Sequence, residues 1–212
     1  NFWKYIMLNI IDDFIKPHIQ DALENLVLGE DFPYFYNKEP IVLDGTDNYF
    51  IDNNTFDVPQ FGHMFIVDGQ VNSQFYTNVS PISNKLIDVI DVPCNILRCK
   101  LNMNVIDSRY ENKYHTPHLD NGFEEQITAI YYVNDSDGDT YFFDKVGNIT
   151  ERITPKKGRL VWWKGRIFHA KSSPTKSINR LVLNFNLLPI RTWNEIGRAH
   201  VWTPVTLIYL VC

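Results

Sequence analysis

His118 and Asp120 stand two residues apart in Tyr114-His-Thr-Pro-His-Leu-Asp120. On an extended chain, residues i and i+2 share a face, so an imidazole and a carboxylate project side by side. A third donor, His169, follows much later in Ile167-Phe-His-Ala170. Two imidazoles and one carboxylate on one face of an octahedral ion leave three adjacent positions open, a set that suits Fe(II) and its reaction with O2. His-x-Asp alone is a common coincidence, and a lone histidine is more often a satisfied core residue than a ligand. The combination gains weight from Arg180, which opens Arg180-Leu-Val-Leu-Asn-Phe-Asn-Leu187. Alternation along a strand places Leu181, Leu183, Phe185 and Leu187 on one face and Arg180, Val182, Asn184 and Asn186 on the other. An arginine on that second face needs an anionic partner if it is buried, and a dicarboxylate would supply one with bidentate geometry. Judged alone, an arginine on a solvent-facing edge explains it equally well.

The elements that position these residues are mostly strands. From Leu97 onward the chain is rich in β-branched and aromatic residues, with strands expected over 98–106, 125–133, 140–143, 149–154, 159–163 and 180–188. Turn sequences separate them: Asn121-Gly122, Asp135-Ser-Asp-Gly-Asp139, Val146-Gly-Asn148, Pro155-Lys-Lys-Gly158 and Lys164-Gly165. Short strands at this spacing without helices between them indicate an antiparallel sandwich or barrel. The first third mixes helix and turn. Ile10, Ile11, Phe14, Ile15, Ile19, Ala22, Leu23 and Leu26 approximate a helical stripe, with Pro17 as an interruption or first-turn residue. Residues 44–60 read as loop, and a second helix is expected over 83–90. The fold class is therefore mainly β with N-terminal helices (α+β).

Composition narrows the function. The 212 residues carry a net charge of −5, which disfavours nucleic-acid binding. No apolar run is long enough for a membrane helix, and no signal peptide is visible. The three cysteines, Cys94, Cys99 and Cys212, form no disulfide or zinc framework, so a reducing cytoplasm is the simplest setting. Asp135-Ser-Asp-Gly-Asp139 lacks the downstream glutamate of a calcium loop and reads as a hairpin turn. His115 has no carboxylate two residues on and reads as a supporting or surface residue. Residues 7–193 are expected to form one domain, with a helical N-terminal layer over 7–96 and a β core over 97–190. Residues 195–212 read as a non-native tail, similar to a translated sequencing adapter, and Met7 as the natural start.

His118-x-Asp120, His169 and Arg180 resemble the iron- and 2-oxoglutarate-dependent dioxygenases, most closely their prolyl-4-hydroxylase-like branch, phage-encoded members included. Ile127-Thr-Ala-Ile-Tyr-Tyr-Val-Asn134 is similar to the family's strand after His-x-Asp, and Gly138-Asp-Thr-Tyr-Phe142 to its Gly-Gly-x-Thr-x-Phe turn and strand. Pro155-Lys-Lys-Gly-Arg-Leu-Val-Trp162 is similar to the strand before the second histidine, and His169-Ala-Lys-Ser-Ser-Pro174 with Asn179-Arg180 completes the pattern. The resemblance covers about residues 98–188.

It implies a double-stranded β-helix, a cupin-like jelly-roll. His118, Asp120 and His169 would be the catalytic iron ligands. Arg180 and Tyr132 would bind the distal carboxylate of 2-oxoglutarate, with Thr140 facing it too. The cofactors implied are Fe(II), 2-oxoglutarate and O2, with ascorbate as an accompanying reductant. The implied reaction is hydroxylation of a small-molecule or protein substrate, coupled to decarboxylation of 2-oxoglutarate to succinate and CO2. Asp120 favours hydroxylation over halogenation, which uses a small residue at that position. Two departures stand out. Asp139 replaces the turn's second glycine. The strand Lys100-Leu-Asn-Met-Asn104 lacks the tyrosine of many prolyl hydroxylases, with Asn102 or Asn104 in its place, which weakens proline as a substrate. The rival readings are a non-catalytic jelly-roll binding protein and a cupin-like metalloenzyme that does not use 2-oxoglutarate. Oligomeric state is left open.

Overall fold

The computed structural model describes residues 8–38, 55–120 and 124–190. The expected start at Met7, the Asn121-Gly122 turn, most of the 44–60 loop and the whole of 195–212 lie outside them.

The interior is built on strands buried on both faces. β6 (Ile127–Tyr132) is buried along its whole length, and β11 (Asn179–Pro189) along most of it. β11 pairs antiparallel with β6 on one side and with β5 (Cys94–Val105) on the other. β9 (Leu160–Lys164) continues the sheet beyond β6. The full order is β1 (Asn9–Ile11), β9, β6, β11, β5, β3 (Gln60–Val67) and β2 (Phe35–Asn37), with β4 (Gln70–Val71) paired to β3. A second, three-stranded sheet runs β10-β7-β8, comprising Phe168–Lys171, Thr140–Phe143 and Ile149–Ile153. An isolated antiparallel bridge between His118 and His169 adds the chain around His118 as a further lane. This is the double-stranded β-helix that the resemblance implied, and it fits the antiparallel sandwich or barrel expected from the strand spacing.

Alternation divides the residues of β11 as its sequence dictates. Leu181, Leu183, Phe185 and Leu187 join the larger core, under α1 (Pro17–Val27) and α2 (Tyr76–Ile90), with Leu23, Val27, Val79, Ile82 and Leu86. Val182 faces the other way and packs with Ile130, Tyr132, Phe142, Val161 and Trp163 between the sheets. The site lies on that inner face.

The N-terminal region differs from a helical layer. Asn9–Ile11 forms β1, a strand paired with Leu160–Trp162, and the helix begins only at Pro17. Proline is at ease in a first helical turn, where its missing N–H costs nothing, and a strand over Ile10 and Ile11 covers the otherwise open edge of β9. β2 (Phe35–Asn37) and β3 (Gln60–Val67) also come from this region and extend the main sheet past β5. α2 starts well before residue 83 and carries Pro81 within it. The helix tolerates that proline because the Thr77 carbonyl, deprived of an N–H donor from residue 81, accepts from Ser80 Oγ at 2.9 Å.

Candidate metal and co-substrate site

His118, Asp120 and His169 converge: their ligand atoms all lie within 4.8 Å of one another. The bridge between the two histidine backbones, with N–O distances of 3.0 and 3.1 Å, sets the rings side by side. Each ring is then fixed by its own Nδ1. His118 Nδ1 lies 3.1 Å from the Thr116 carbonyl and His169 Nδ1 3.0 Å from the Ile167 carbonyl. A carbonyl only accepts, so both Nδ1 atoms carry the proton and both Nε2 atoms present a lone pair. The two Nε2 atoms stand 3.8 Å from the same oxygen, Asp120 Oδ1. The other oxygen, Oδ2, accepts from Asn186 Nδ2 at 2.9 Å and Asn184 Nδ2 at 3.4 Å. The polar face of β11 thus holds the carboxylate so that one oxygen points at the imidazoles.

Charge states suit ligation. Burial and the neighbouring His169 hold His118 down at about 4, against the pull of Asp120, so the ring is neutral at physiological pH. Burial works to raise Asp120, but His169, Arg98 and His118 outweigh it, and with the Asn186 bond they hold the carboxyl at about 2. Two imidazoles with Nε2 turned inward and an ionised carboxylate in this disposition fit a divalent ion such as Fe(II) by donor chemistry.

Arg180 lies on the same inner face, 1% exposed. Its Nε donates to the Gly138 carbonyl at 2.6 Å and an Nη to Thr140 Oγ1 at 2.8 Å. Tyr132 shares a 2.7 Å hydrogen bond with the same Thr140 hydroxyl and lies under the guanidinium, 5.8 Å from its ring centre. No carboxylate among the described residues pairs with Arg180, so a buried cation is oriented yet unmatched. Directly across the strand pair, Asn104 is 1% exposed with neither amide atom hydrogen-bonded. Gly138 is required by this packing: a β-carbon there would come within 2.7 Å of the Ser172 carbonyl and 2.9 Å of Arg180 Cδ. The turn holding it is tied by Asp137, whose carboxylate accepts from the Thr175, Lys176 and Ser177 amides and the Thr175 hydroxyl. The acidic run at 135–139 is therefore a clasp between two loops. Asp139, the departure from the family turn, is buried and paired with Arg152 of β8.

His115 supports the site from beneath. It is wholly buried, bonded through Nδ1 to Asp57 and through Nε2 to Ser173, both at 3.1 Å, and stacked on Tyr110. Serine, histidine and aspartate in that order have the form of a nucleophilic triad, but Ser173 is 1% exposed, which denies a substrate access. The network instead anchors the backbone leading to His118: Asp57 also accepts from the amide and hydroxyl of Thr116. Asp57, Arg98 and the roles of Asn184 and Asn186 were not assigned from sequence. Only the two asparagines left a signal, as polar residues on the inner face of a core strand. A shallow cleft, open to solvent, reaches Asp120 and His169 and is lined also by Gln126, Thr128, Trp163 and Arg166.

A family model described as the 2OG-Fe(II) oxygenase superfamily matches residues 106–188. No curated protein sequence matches the chain. Among solved structures, a 2OG-Fe(II) oxygenase family oxidoreductase from Burkholderia pseudomallei is similar, with 12% identity and a TM-score of 0.62, covering 89% of this chain and 88% of its own. A prolyl hydroxylase from Trichoplax adhaerens, in complex with a hypoxia inducible factor peptide fragment, has 12% identity and a TM-score of 0.58 over 91% of this chain and 87% of its own. HygX from Streptomyces hygroscopicus, with nickel and 2-oxoglutarate bound, has 10% identity and a TM-score of 0.55 over 87% and 83%. At such identities these likenesses concern the fold. The stretch matched by the 2OG-Fe(II) oxygenase model, residues 106–188, is the one that holds His118, Asp120 and His169, with Arg180 near its end.

Proposed function

We propose that the protein is an Fe(II)- and 2-oxoglutarate-dependent hydroxylase in which His118, Asp120 and His169 hold the metal, and Arg180, Tyr132 and Thr140 hold the distal carboxylate of the co-substrate. The observation that carries the reading is the pairing of two features on one inner face. One is a carboxylate oxygen equidistant from two lone-pair-bearing imidazoles. The other is a buried guanidinium with no carboxylate partner among the described residues. A buried unmatched cation is expensive, and an anionic ligand removes the penalty. Bound there, Fe(II) would supply chelation of 2-oxoglutarate and activation of O2, so that oxidation of the co-substrate to succinate and CO2 is coupled to oxygen insertion into a C–H bond.

The chain's own residues do the rest. The Thr116 and Ile167 carbonyls fix the tautomer of each ligand histidine. Asn184 and Asn186 hold Asp120 in its orientation, and Gly138 and Thr140 aim the arginine. Trp163 packs edge-on against His169 at 4.9 Å and steadies the ring. Asn104 supplies an amide for the co-substrate that no protein group satisfies. The substrate is a small molecule or a protein side chain approaching through the cleft at Asp120 and His169. Buried free thiols at Cys94 and Cys99 accord with a reducing cytoplasm, and among the described residues no helix is long and apolar enough to cross a membrane.

The test is release of succinate from 2-oxoglutarate by the Fe(II)-loaded protein in air, with and without Arg180→Ala. Turnover that needs iron, O2 and Arg180 supports the assignment. Iron-dependent oxidation indifferent to Arg180 favours a cupin-like enzyme that does not use 2-oxoglutarate.

A further inference from the structure

Positive charge around the triad exceeds what iron and 2-oxoglutarate together would use. β5 carries Arg98 and Lys100 on the face whose pairing with β11 sets them beside Asn186 and Asn184, the two amides on Asp120. Arg98 reaches Asp120 Oδ1 at 3.6 Å, its side chain 37% exposed, while its Nε is buried without a hydrogen-bond partner. Lys100 makes no hydrogen bond or ion pair with any described residue, yet it is partly buried. Its stem lies over Gly62 of β3, where a β-carbon would come within 2.8 Å of the lysine Cε. The missing side chain at residue 62 is what lets Lys100 lie along the inner face. From the opposite sheet, Lys171 crosses to Gln60 and comes near both Lys100 and Arg180.

Among the described residues, three cations, Arg98, Lys100 and Arg180, therefore share this space with two carboxylates, Asp120 and Asp57, while burial and the neighbouring Arg180 and Lys100 push Lys171 well down toward its neutral form. Asp139 is already matched by Arg152. A divalent metal and a dianionic co-substrate cancel each other, so one positive charge remains among the described residues. The co-substrate's distal carboxylate is assigned to Arg180 and its other end to the metal, and Asp120 is already shared by Arg98 and the two histidines, which leaves Lys100 without an anion of its own and Arg98 with one shared oxygen. Unmatched charge in a partly desolvated space is costly, and a ligand oxyanion relieves it through charge-assisted hydrogen bonds. Resting on the oxygenase reading above, we propose that the substrate carries an oxyanion, a carboxylate or a phosphate, and that Lys100 and Arg98 bind it beside Asp120.

The test uses the full chain, loaded anaerobically with Fe(II) and saturated with 2-oxoglutarate. It is titrated calorimetrically with three capped amino acids that differ only in the side chain: N-acetyl-aspartic acid amide, N-acetyl-phosphoserine amide and N-acetyl-asparagine amide. At least one of the two anions should bind about tenfold more tightly than the neutral amide, and which one binds separates carboxylate from phosphate. Lys100→Met should weaken that anion by about tenfold or more and leave 2-oxoglutarate affinity within about twofold, while Lys100→Arg retains binding. Equal binding of charged and neutral probes, or binding of neither anion, overturns the proposal. So does a loss of 2-oxoglutarate affinity in Lys100→Met as large as the loss of the anion, which would assign the lysine to the co-substrate. Failure of the unmodified protein to take up 2-oxoglutarate would instead overturn the underlying oxygenase reading.

Discussion

Replacing Arg180 by methionine removes the charge and the fork while keeping most of the buried stem. In the folded protein the guanidinium is 1% exposed and oriented by Gly138 and Thr140, with no carboxylate of its own. Two unit charges 4 Å apart attract by about 4 kcal/mol at an effective dielectric constant near 20. Truncating one member of a desolvated, hydrogen-bonded charge pair costs about 2–5 kcal/mol, which brackets that figure. The dissociation constant for 2-oxoglutarate should therefore rise by about 30-fold to about 5,000-fold. Arg180→Lys keeps the charge but cannot serve Gly138, Thr140 and a ligand together, so it should fall between the two. The variant also leaves a buried carbonyl and a hydroxyl one bond short, about 1–3 kcal/mol each, partly offset by removing an unmatched buried cation. Anaerobic calorimetry on the Fe(II)-loaded proteins gives the affinities, and thermal melts report the cost to folding. A folded Arg180→Met protein that binds 2-oxoglutarate as tightly as the parent would refute the assignment.

Four further outcomes follow from the same geometry. Asn104→Leu removes two unsatisfied buried amide atoms, so its melting temperature should hold or rise while 2-oxoglutarate binding weakens by about tenfold, read by the same calorimetry. Asp137→Ala breaks four hydrogen bonds between the turn before β7 and the loop at Thr175–Ser177; it should destabilise the fold by about 2 kcal/mol in denaturant titrations and loosen 2-oxoglutarate, because Gly138 positions Arg180. Gly138→Ala should act similarly through its clash with the Ser172 carbonyl. Stability of the metal-free protein should fall on acidification: burial outweighs Asp57 and holds His115 at about 3, so between the unfolded value near 6.5 and about pH 3 the unfolded chain takes up a proton that the native ring refuses. Each pH unit in that window costs up to about 1.4 kcal/mol for this group, and His115→Gln should flatten the slope in urea titrations at a series of pH values.

The legible parts of the sequence were those with long periodicity or a paired motif. The alternation of β11 separated the core leucines from the inner polar face, and its burial follows that division. His118-x-Asp120 and His169 pair by residue type alone, and the two segments that carry them meet at a single backbone bridge. Other features carried too little local signal. β10 is four residues long and has no period to read, although it carries His169. β3 is broken in appearance by Gly62 and a preceding proline, so its place in the main sheet was not seen. Ile10 and Ile11 fit a helical stripe arithmetically but precede Pro17, and strand pairing to β9 decides their conformation. Asp57 supports the backbone at His115 and Thr116 from 58 and 59 residues away, a contact no short-range pattern encodes. The supporting amides Asn184 and Asn186 were visible as an oddly polar face but acquire their role only once Asp120 is placed against them.

Every role proposed above depends on His118, Asp120 and His169 holding iron with 2-oxoglutarate beside it. Anaerobic titration of the Fe(II)-loaded protein with 2-oxoglutarate, followed by visible absorption, tests that arrangement most directly. A weak metal-to-ligand charge-transfer band should appear, saturate at one equivalent and be absent from His169→Ala. Iron bound at full occupancy with no such band would contradict it.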